Sequence, residues 1–339
     1  MSYTMLRLPV TVFGMVWVLL SANVLADPIS DCLVRELNNA TDNTSVGQIR
    51  QLCRDETTTA TNNELSGEQT AETALERRRD VERRTEDEPF VLTPHRPNYI
   101  LPVTYNSKPN GDPFNVEDDV IDNVEAKFQI SLKLAIWNNI FGDNGYLYGA
   151  YTNQSWWQAY NSEISAPFRE TNHEPELYLA FDTRWHLAGF DINEVSLGVN
   201  HQSNGQSGSK SRSWNRIFAQ VSAEKNRFFV SLKPWYRIPE ETKDDPKQPD
   251  GDDNPDILDY MGHGELHMLY RASKHHIGMT LRNNLKSNNK GSVQLDWTFP
   301  IGKRTRGYVQ YFNGYGESLI DYDHYTNRIG IGIMLTDWL

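Results

Sequence analysis

The sequence predicts an all-β protein: a twelve-stranded antiparallel transmembrane β-barrel of the outer-membrane type, preceded by an N-terminal extension. Three observations predict it. Apolar and polar residues alternate with period two through most of residues 98–337. The polar faces opposite carry charged and bulky groups, as a barrel lumen does. Short turns and longer polar loops alternate between the segments, the pattern of outer-membrane barrels. Composition is compatible with this. Of 339 residues, 38% are hydrophobic, 23% are charged, and the net charge is −12. After residue 26 no apolar run approaches the roughly 20 residues a spanning helix needs, so helical membrane proteins are excluded. A net acidic chain without a Lys/Arg stripe repels phosphate, so no nucleic-acid partner is expected. A barrel needs only alternate strand residues apolar, and a modest hydrophobic share is enough for one.

The first element is an export signal, residues 1–26. Arg7 precedes an apolar run from Leu8 to Leu20, and the small-residue ending Val24-Leu25-Ala26 precedes Asp27-Pro28. Residues 27–88 read as a periplasmic extension and linker. Its cysteines, Cys32 and Cys53, are the only two in the chain, and export to an oxidising compartment predicts that they form a disulfide. Closing a loop of that length would contribute roughly 3 kcal/mol. From Arg54 to Glu88 the chain is dense in Thr, Asn, Glu and Arg and has little to bury, which predicts a flexible or weakly helical linker. Residues 89–339 are assigned to the barrel.

Within the barrel region, Lys127–Leu134 shows the pattern plainly. Phe128, Ile130, Leu132 and Leu134 share one face, and Lys127, Gln129, Ser131 and Lys133 share the other. The alternation recurs at Leu177/Leu179/Phe181, Phe228/Val230/Leu232, Leu266/Met268/Tyr270, Ile277/Met279/Leu281, Val293/Leu295/Trp297/Phe299 and Ile329/Ile331/Ile333/Leu335. Twelve segments follow: 98–106, 124–138, 145–160, 173–185, 194–203, 213–224, 226–237, 258–272, 274–285, 290–300, 304–315 and 326–337. An even number suits a closed antiparallel barrel. Trp156, Trp157, Trp214, Trp235, Tyr236, Tyr311 and Tyr315 lie near strand ends and are expected to form interfacial girdles.

The stretch from Val199 to Arg216 carries the chemistry. His201 and Ser203 lie two apart and project from one face. They share it with Val195, Leu197 and Val199, the lipid side. On the next strand Asn215 shares parity with Ile217, Ala219 and Val221, so it too belongs to that side. Polar groups facing lipid are costly and default to function. A Ser hydroxyl is a weak nucleophile until a base takes its proton, and His201 can serve as that base. Asn215 can hold the imidazole in the required tautomer. Gly205 follows closely and can offer its backbone N–H to an oxyanion.

At these residues the sequence resembles the outer-membrane phospholipase A family. The matching text is NHQSNG at 200–205, SRSWNR at 211–216, QSWWQ at 154–158 and NSEISAPFRETNHEP at 161–175, with LKPWY at 232–236, DDNPDI at 252–257 and GYGESLIDY at 314–322. The resemblance covers roughly residues 90–339. It implies a calcium-dependent serine hydrolase that cleaves acyl ester bonds of glycerophospholipids and lysophospholipids with both A1 and A2 activities, and that is active as a homodimer in the outer membrane. It makes Ser203 the nucleophile, His201 the base and Asn215 the orienting group. It places calcium between two barrels, held by the Gln206 carbonyl and Ser211 hydroxyl of one subunit and the Ser165 carbonyl of the other. Two departures stand out. Gln206 replaces the family's usual Arg, which leaves a carbonyl ligand intact. Gly208 replaces a frequent carboxylate, which weakens a second calcium site whose other half would be Asp253.

Rival readings make different demands. A passive channel or structural barrel needs neither Ser203 nor His201. A barrel protease of the omptin kind expects acidic residues acting on water at the rim. His263 and His267 read H-G-E-L-H, not a zinc-site pattern, and a strand would hold them about 13 Å apart. The acidic loop 240–256 lacks calcium-loop spacing and reads as a solvated external loop.

Overall fold

Residues alternating between β-branched or aromatic and polar types suit a pleated surface that faces different media on its two sides. The computed structural model describes Cys53, Arg78, Glu82 and residues 91–243, 245, 251–302 and 305–337. The chain divides into two units, Met1–Ala71 and Glu72–Leu339. In the first, Cys53 is buried and disulfide-bonded. The expected signal peptide and Cys32 lie outside the described residues, as does the expected linker apart from Arg78 and Glu82.

The second unit is the barrel. Its strands are β1 (Thr93–Pro94), β2 (Asn98–Asn106), β3 (Val124–Trp137), β4 (Tyr146–Trp157), β5 (Phe168–Leu187), β6 (Phe190–Ser203), β7 (Ser213–Lys225), β8 (Phe228–Ile238), β9 (Gly264–Ala272), β10 (His275–Asn283), β11 (Gly291–Pro300), β12 (Arg306–Gly314) and β13 (Thr326–Thr336). From β2 onward each strand pairs antiparallel with the next, β13 returns to β2, and β3 pairs with both β2 and β4. The twelve strands β2–β13 therefore form a closed ring. Two-residue β1 adds only a short pairing on β3, Thr93 opposite Lys133. Closure leaves no unpaired edge, the condition for a sheet in lipid.

The ends of the barrel differ as the sequence predicts. Short turns join β5–β6, β7–β8 and β9–β10 at one end. At Ala188-Gly189 both turn residues have positive φ, 53° and 78°, as a tight two-residue hairpin requires. Long connections, including 107–123, 204–212 and 239–263, occupy the other end. The outward face is apolar: Ile130, Leu197, Leu232, Ile277, Ile331 and Leu335 are all exposed.

Three expectations are corrected. The segment expected to run as strand from 258 opens as a short helix, Leu258–Met261, and β9 starts only at Gly264. Gly262, at φ 68°, ends the helix, and a Cβ there would lie 2.1 Å from the Asn283 carbonyl oxygen. Residues 168–172, expected in a loop, belong to β5, where Phe168 stacks on Trp157 at 5.3 Å and Arg169 and Glu170 turn inward. Trp156, Trp214 and Trp235 are buried in the lumen and not in a girdle. They have lumen parity, and two of them find hydrogen-bond partners inside: Trp214 Nε1 donates to Gln202 at 2.8 Å and Trp235 Nε1 to the Gly262 carbonyl at 3.0 Å, while the Trp156 ring lies under the Lys127 ammonium at 5.1 Å. Trp157 and Tyr236 do face outward.

Paired charges fill the lumen. Lys127 bonds Glu317 at 3.0 Å, and Glu317 also accepts from Arg328 at 2.8 Å. Arg328 reaches Glu125 at 2.7 Å, which pairs with Arg169 at 3.1 Å, and Arg169 reaches Asp321 at 2.6 Å. A second group joins Arg96, Arg216 and Lys233 to Glu174 and Glu176. Glu317 and Asp321 lie in the loop 315–325, so that loop is drawn into the barrel by its own carboxylates. Burial alone would raise the Glu317 carboxyl, but Arg328 and Lys127 outweigh it and hold the group at about 2.

Candidate active site

The expected catalytic residues sit at the long-loop end of the β6–β7 pair. Register places His201 directly opposite Asn215 and Ser203 opposite Ser213. The same outward lane carries Leu197, Val199, Ile217 and Val221, all exposed. A polar trio thus ends an apolar lane, as parity predicted.

Hydrogen bonds link these side chains and their neighbours. His201 Nδ1 lies 2.9 Å from Asn215 Oδ1. The Asn215 amide then donates from Nδ2 to Glu240 Oε1 at 2.8 Å. The Gly205 backbone N–H donates to Ser203 Oγ at 3.0 Å, with Gly205 at φ 65°. Gly205 therefore presents its N–H to the serine itself in this state. No hydrogen bond joins Ser203 Oγ to the His201 ring among the described residues. Catalytic hydrogen bonds are commonly loose before substrate binds.

The loop after Ser203 is held by one side chain. Asn204 is buried, accepts at Oδ1 from the N–H of Gln206 (3.2 Å) and of Arg212 (3.0 Å), and donates to the Lys210 carbonyl at 2.8 Å. This fixes the path of the expected calcium ligands Gln206 and Ser211. Ser165, the third, lies in the loop 158–167 with consecutive positive φ values, 63° at Ser165 and 48° at Ala166. The strained turn is pinned through Ala166, whose carbonyl accepts from Trp157 Nε1 at 2.9 Å and whose N–H bonds Asn161 at 2.8 Å. These ligands are oxygen donors only, the chemistry that suits a hard cation. No cluster of three or more His, Cys, Asp or Glu that would hold a metal occurs among the described residues. Asp253 is already engaged: Ser211 Oγ donates to it at 2.7 Å, Ser213 Oγ at 3.2 Å, and the Lys243 ammonium pairs with its other oxygen. A divalent ion there would have to displace a cation supplied by the chain itself.

Sequence reasoning missed two neighbours. His173, on β5, is the cross-strand partner of Ser203, and its Nδ1 lies 2.6 Å from the Tyr151 hydroxyl. Its parity with Leu177 and Leu179 carried the signal. Glu240 belongs to the acidic loop read as merely solvated, and no local pattern marks it.

A family model described as Phospholipase A1 matches residues 75–335. The chain belongs to the phospholipase A1 family. Phospholipase A1 of Klebsiella pneumoniae is 41% identical over 253 residues, 74% of this chain and 84% of that protein. Phospholipase A1 of Escherichia coli K12 is 41% identical over 254 residues, 74% of this chain and 83% of its own. Among solved structures, outer membrane phospholipase A from Escherichia coli superposes with a TM-score of 0.68 at 39% identity, covering 74% of this chain and all of that one. The Salmonella typhi outer membrane phospholipase, solved as a dimer with bound calcium, gives 0.68 and 39%, over 74% of this chain and 94% of that one. An active-site mutant of the Escherichia coli enzyme, with an asparagine changed to alanine, gives 0.68 and 39%, over 75% and 95%. This phospholipase A1 family member is thus a phospholipase built on an outer-membrane barrel.

Proposed function

We propose that this protein is a calcium-dependent, dimer-activated phospholipase A acting from the lipid side of its barrel. Ser203 is its nucleophile, His201 its base and Asn215 its orienting group. The observation that carries the reading is the His201–Asn215 hydrogen bond, set on an outward apolar lane two residues from an exposed-side serine. The active-site asparagine of the Escherichia coli relative supports it. Substrate is a glycerophospholipid or lysophospholipid, at either acyl position, that reaches the site from the membrane.

The residues divide the work as follows. Asn215 Oδ1 accepts from His201 Nδ1–H, which leaves Nε2 able to take a proton. The Ser203 proton moves to Nε2 as Oγ bonds the acyl carbon. The ester bond then breaks, and the glycerol oxygen leaves with the proton from Nε2. Water attacks the acyl-serine, giving its proton to His201. The fatty acid departs as Oγ recovers a proton. The Gly205 N–H, held by Ser203 Oγ at rest, turns to the oxygen of the tetrahedral intermediate. Gln206 and Ser211 of one subunit with Ser165 of the partner subunit would hold calcium, which supplies positive charge beside that oxygen. A ligand set divided between subunits ties activity to dimerisation.

Residues 1–26 are read as a cleaved export signal. Residues 27–88 are read as a periplasmic extension closed by a Cys32–Cys53 bridge, and 89–339 as the catalytic barrel. The test is fatty-acid release from lipid–detergent micelles. Activity that depends on calcium and disappears in Ser203→Ala supports the reading. Release that survives either Ser203→Ala or full chelation sinks it. Ion conductance that ignores both would favour a passive channel.

A further inference from the structure

We propose that Glu240 is a positioning residue for the hydrolysis, extending the triad into a Ser203–His201–Asn215–Glu240 relay. The inference rests on the reading of Ser203 and His201 given above.

The argument concerns which way an amide points. An asparagine offers an acceptor at one end and donors at the other, so an isolated Asn215 can face His201 either way. If it presents Nδ2, the His201 Nδ1 must accept, the ring proton sits on Nε2, and no base faces the serine. A carboxylate can only accept. Because Glu240 Oε1 takes the Asn215 Nδ2–H at 2.8 Å, Oδ1 is turned to His201, where it lies 2.9 Å from Nδ1. His201 then carries its proton on Nδ1 and leaves Nε2 free. Glu240 thus acts on the histidine without touching it. It also supplies the negative charge that a neutral Asn lacks where an Asp is the more usual partner.

The fold holds Glu240 in place for this. Asn215 pairs across the β7–β8 ladder with Ile238, the last residue of β8, and Pro239 with its fixed φ leads straight to Glu240. The stem of the following loop is tied back. Asp252 N–H donates to the Glu241 carbonyl at 2.7 Å, Thr242 bridges Asp252, and the Asp252 carboxylate pairs with Arg237. Among the described residues, Asn215 is the one hydrogen-bond partner of Glu240.

The test is a double-mutant cycle read by micellar lipolysis, with heat-dependent gel mobility reporting the folded barrel. Glu240→Ala should lower kcat about tenfold with KM within about twofold of wild type. Glu240→Gln should not rescue it, because a glutamine can donate and so lets the Asn215 amide turn round. In the Asn215→Asp background a carboxylate orients the ring unaided and Glu240 becomes a facing like charge. Removing Glu240 there should raise activity. Wild-type kcat in folded Glu240→Ala would overturn the proposal, and so would an equal loss in both backgrounds, which a merely structural role predicts. Ser203→Ala separates the two levels: if it keeps its activity, the underlying reading fails whatever Glu240 does.

Discussion

The outer corner of β6–β7 and the lumen behind it use the same polar vocabulary to opposite ends. In the lumen, Lys127, Glu317, Arg328, Glu125, Arg169 and Asp321 run as one chain of ion pairs, with every one of these residues buried. On the outside, Ser203, His201 and Asn215 form a single file in an apolar lane, and among the described residues Ser203 Oγ accepts only a backbone N–H. Mutual pairing of opposite charges makes a network rigid and inert. A file with one unsatisfied end makes a group able to react. The two regions are one residue apart in parity, since Asn215 faces out while Trp214 and Arg216 face in.

If that contrast is right, the two regions should fail differently. The largest effect belongs to the outer file. Ser203→Ala should reduce fatty-acid release by roughly a thousandfold or more while the melting temperature of the barrel stays unchanged. Calcium chelation should come next, removing activity by on the order of a hundredfold without unfolding the protein, as micellar assay and circular dichroism together would report. The lumen should show the reverse. Arg169→Met removes the guanidinium shared by two buried carboxylates, leaving Glu125 with Arg328 and Asp321 with only the uncharged donors Asn110 and Ser318, and should cost about 3 kcal/mol in a denaturant titration while specific activity per folded molecule stays within about twofold. Lost stability after Ser203→Ala, or abolished activity in folded Arg169→Met, would break the comparison.

The smallest effect is in pH. The Glu317 carboxyl lies at about 2 in the folded barrel against an ordinary 4.5, because burial, which would raise it, is outweighed by Arg328 and Lys127. A depressed carboxylate stabilises the fold fully above its ordinary value, and this contribution is lost as pH falls from about 4.5 towards 2. The melting temperature should therefore drop through that window in wild type, and less steeply in Glu317→Gln. Equal slopes would mean that the lumen network carries no such charge dependence.

Much of the site was legible because a strand encodes its faces locally. His201, Ser203 and Asn215 could be placed on the lipid side by counting in twos, and the register confirms the count. His173 carries the same parity signal, but its nearness to Ser203 depends on how β5 is registered against β6, which no local pattern encodes. Glu240 had no local mark at all. A carboxylate in an acidic loop looks like every other until the chain brings Asn215 to it. Lys243 on Asp253 is a similar case, because residues ten apart in a long polar loop have no preferred meeting.

By itself the sequence determined the period-two alternation, the even strand number, the alternation of turns and loops, and the outward face of His201, Ser203 and Asn215. All of these follow from side-chain direction along a strand and from the need to satisfy every backbone group in lipid. Only the tertiary structure decided that Trp156, Trp214 and Trp235 pack inward, that Leu258–Met261 coils before β9, and that Glu240 meets Asn215. Those outcomes depend on which groups meet once the ring closes, and closure joins residues that are far apart in the chain.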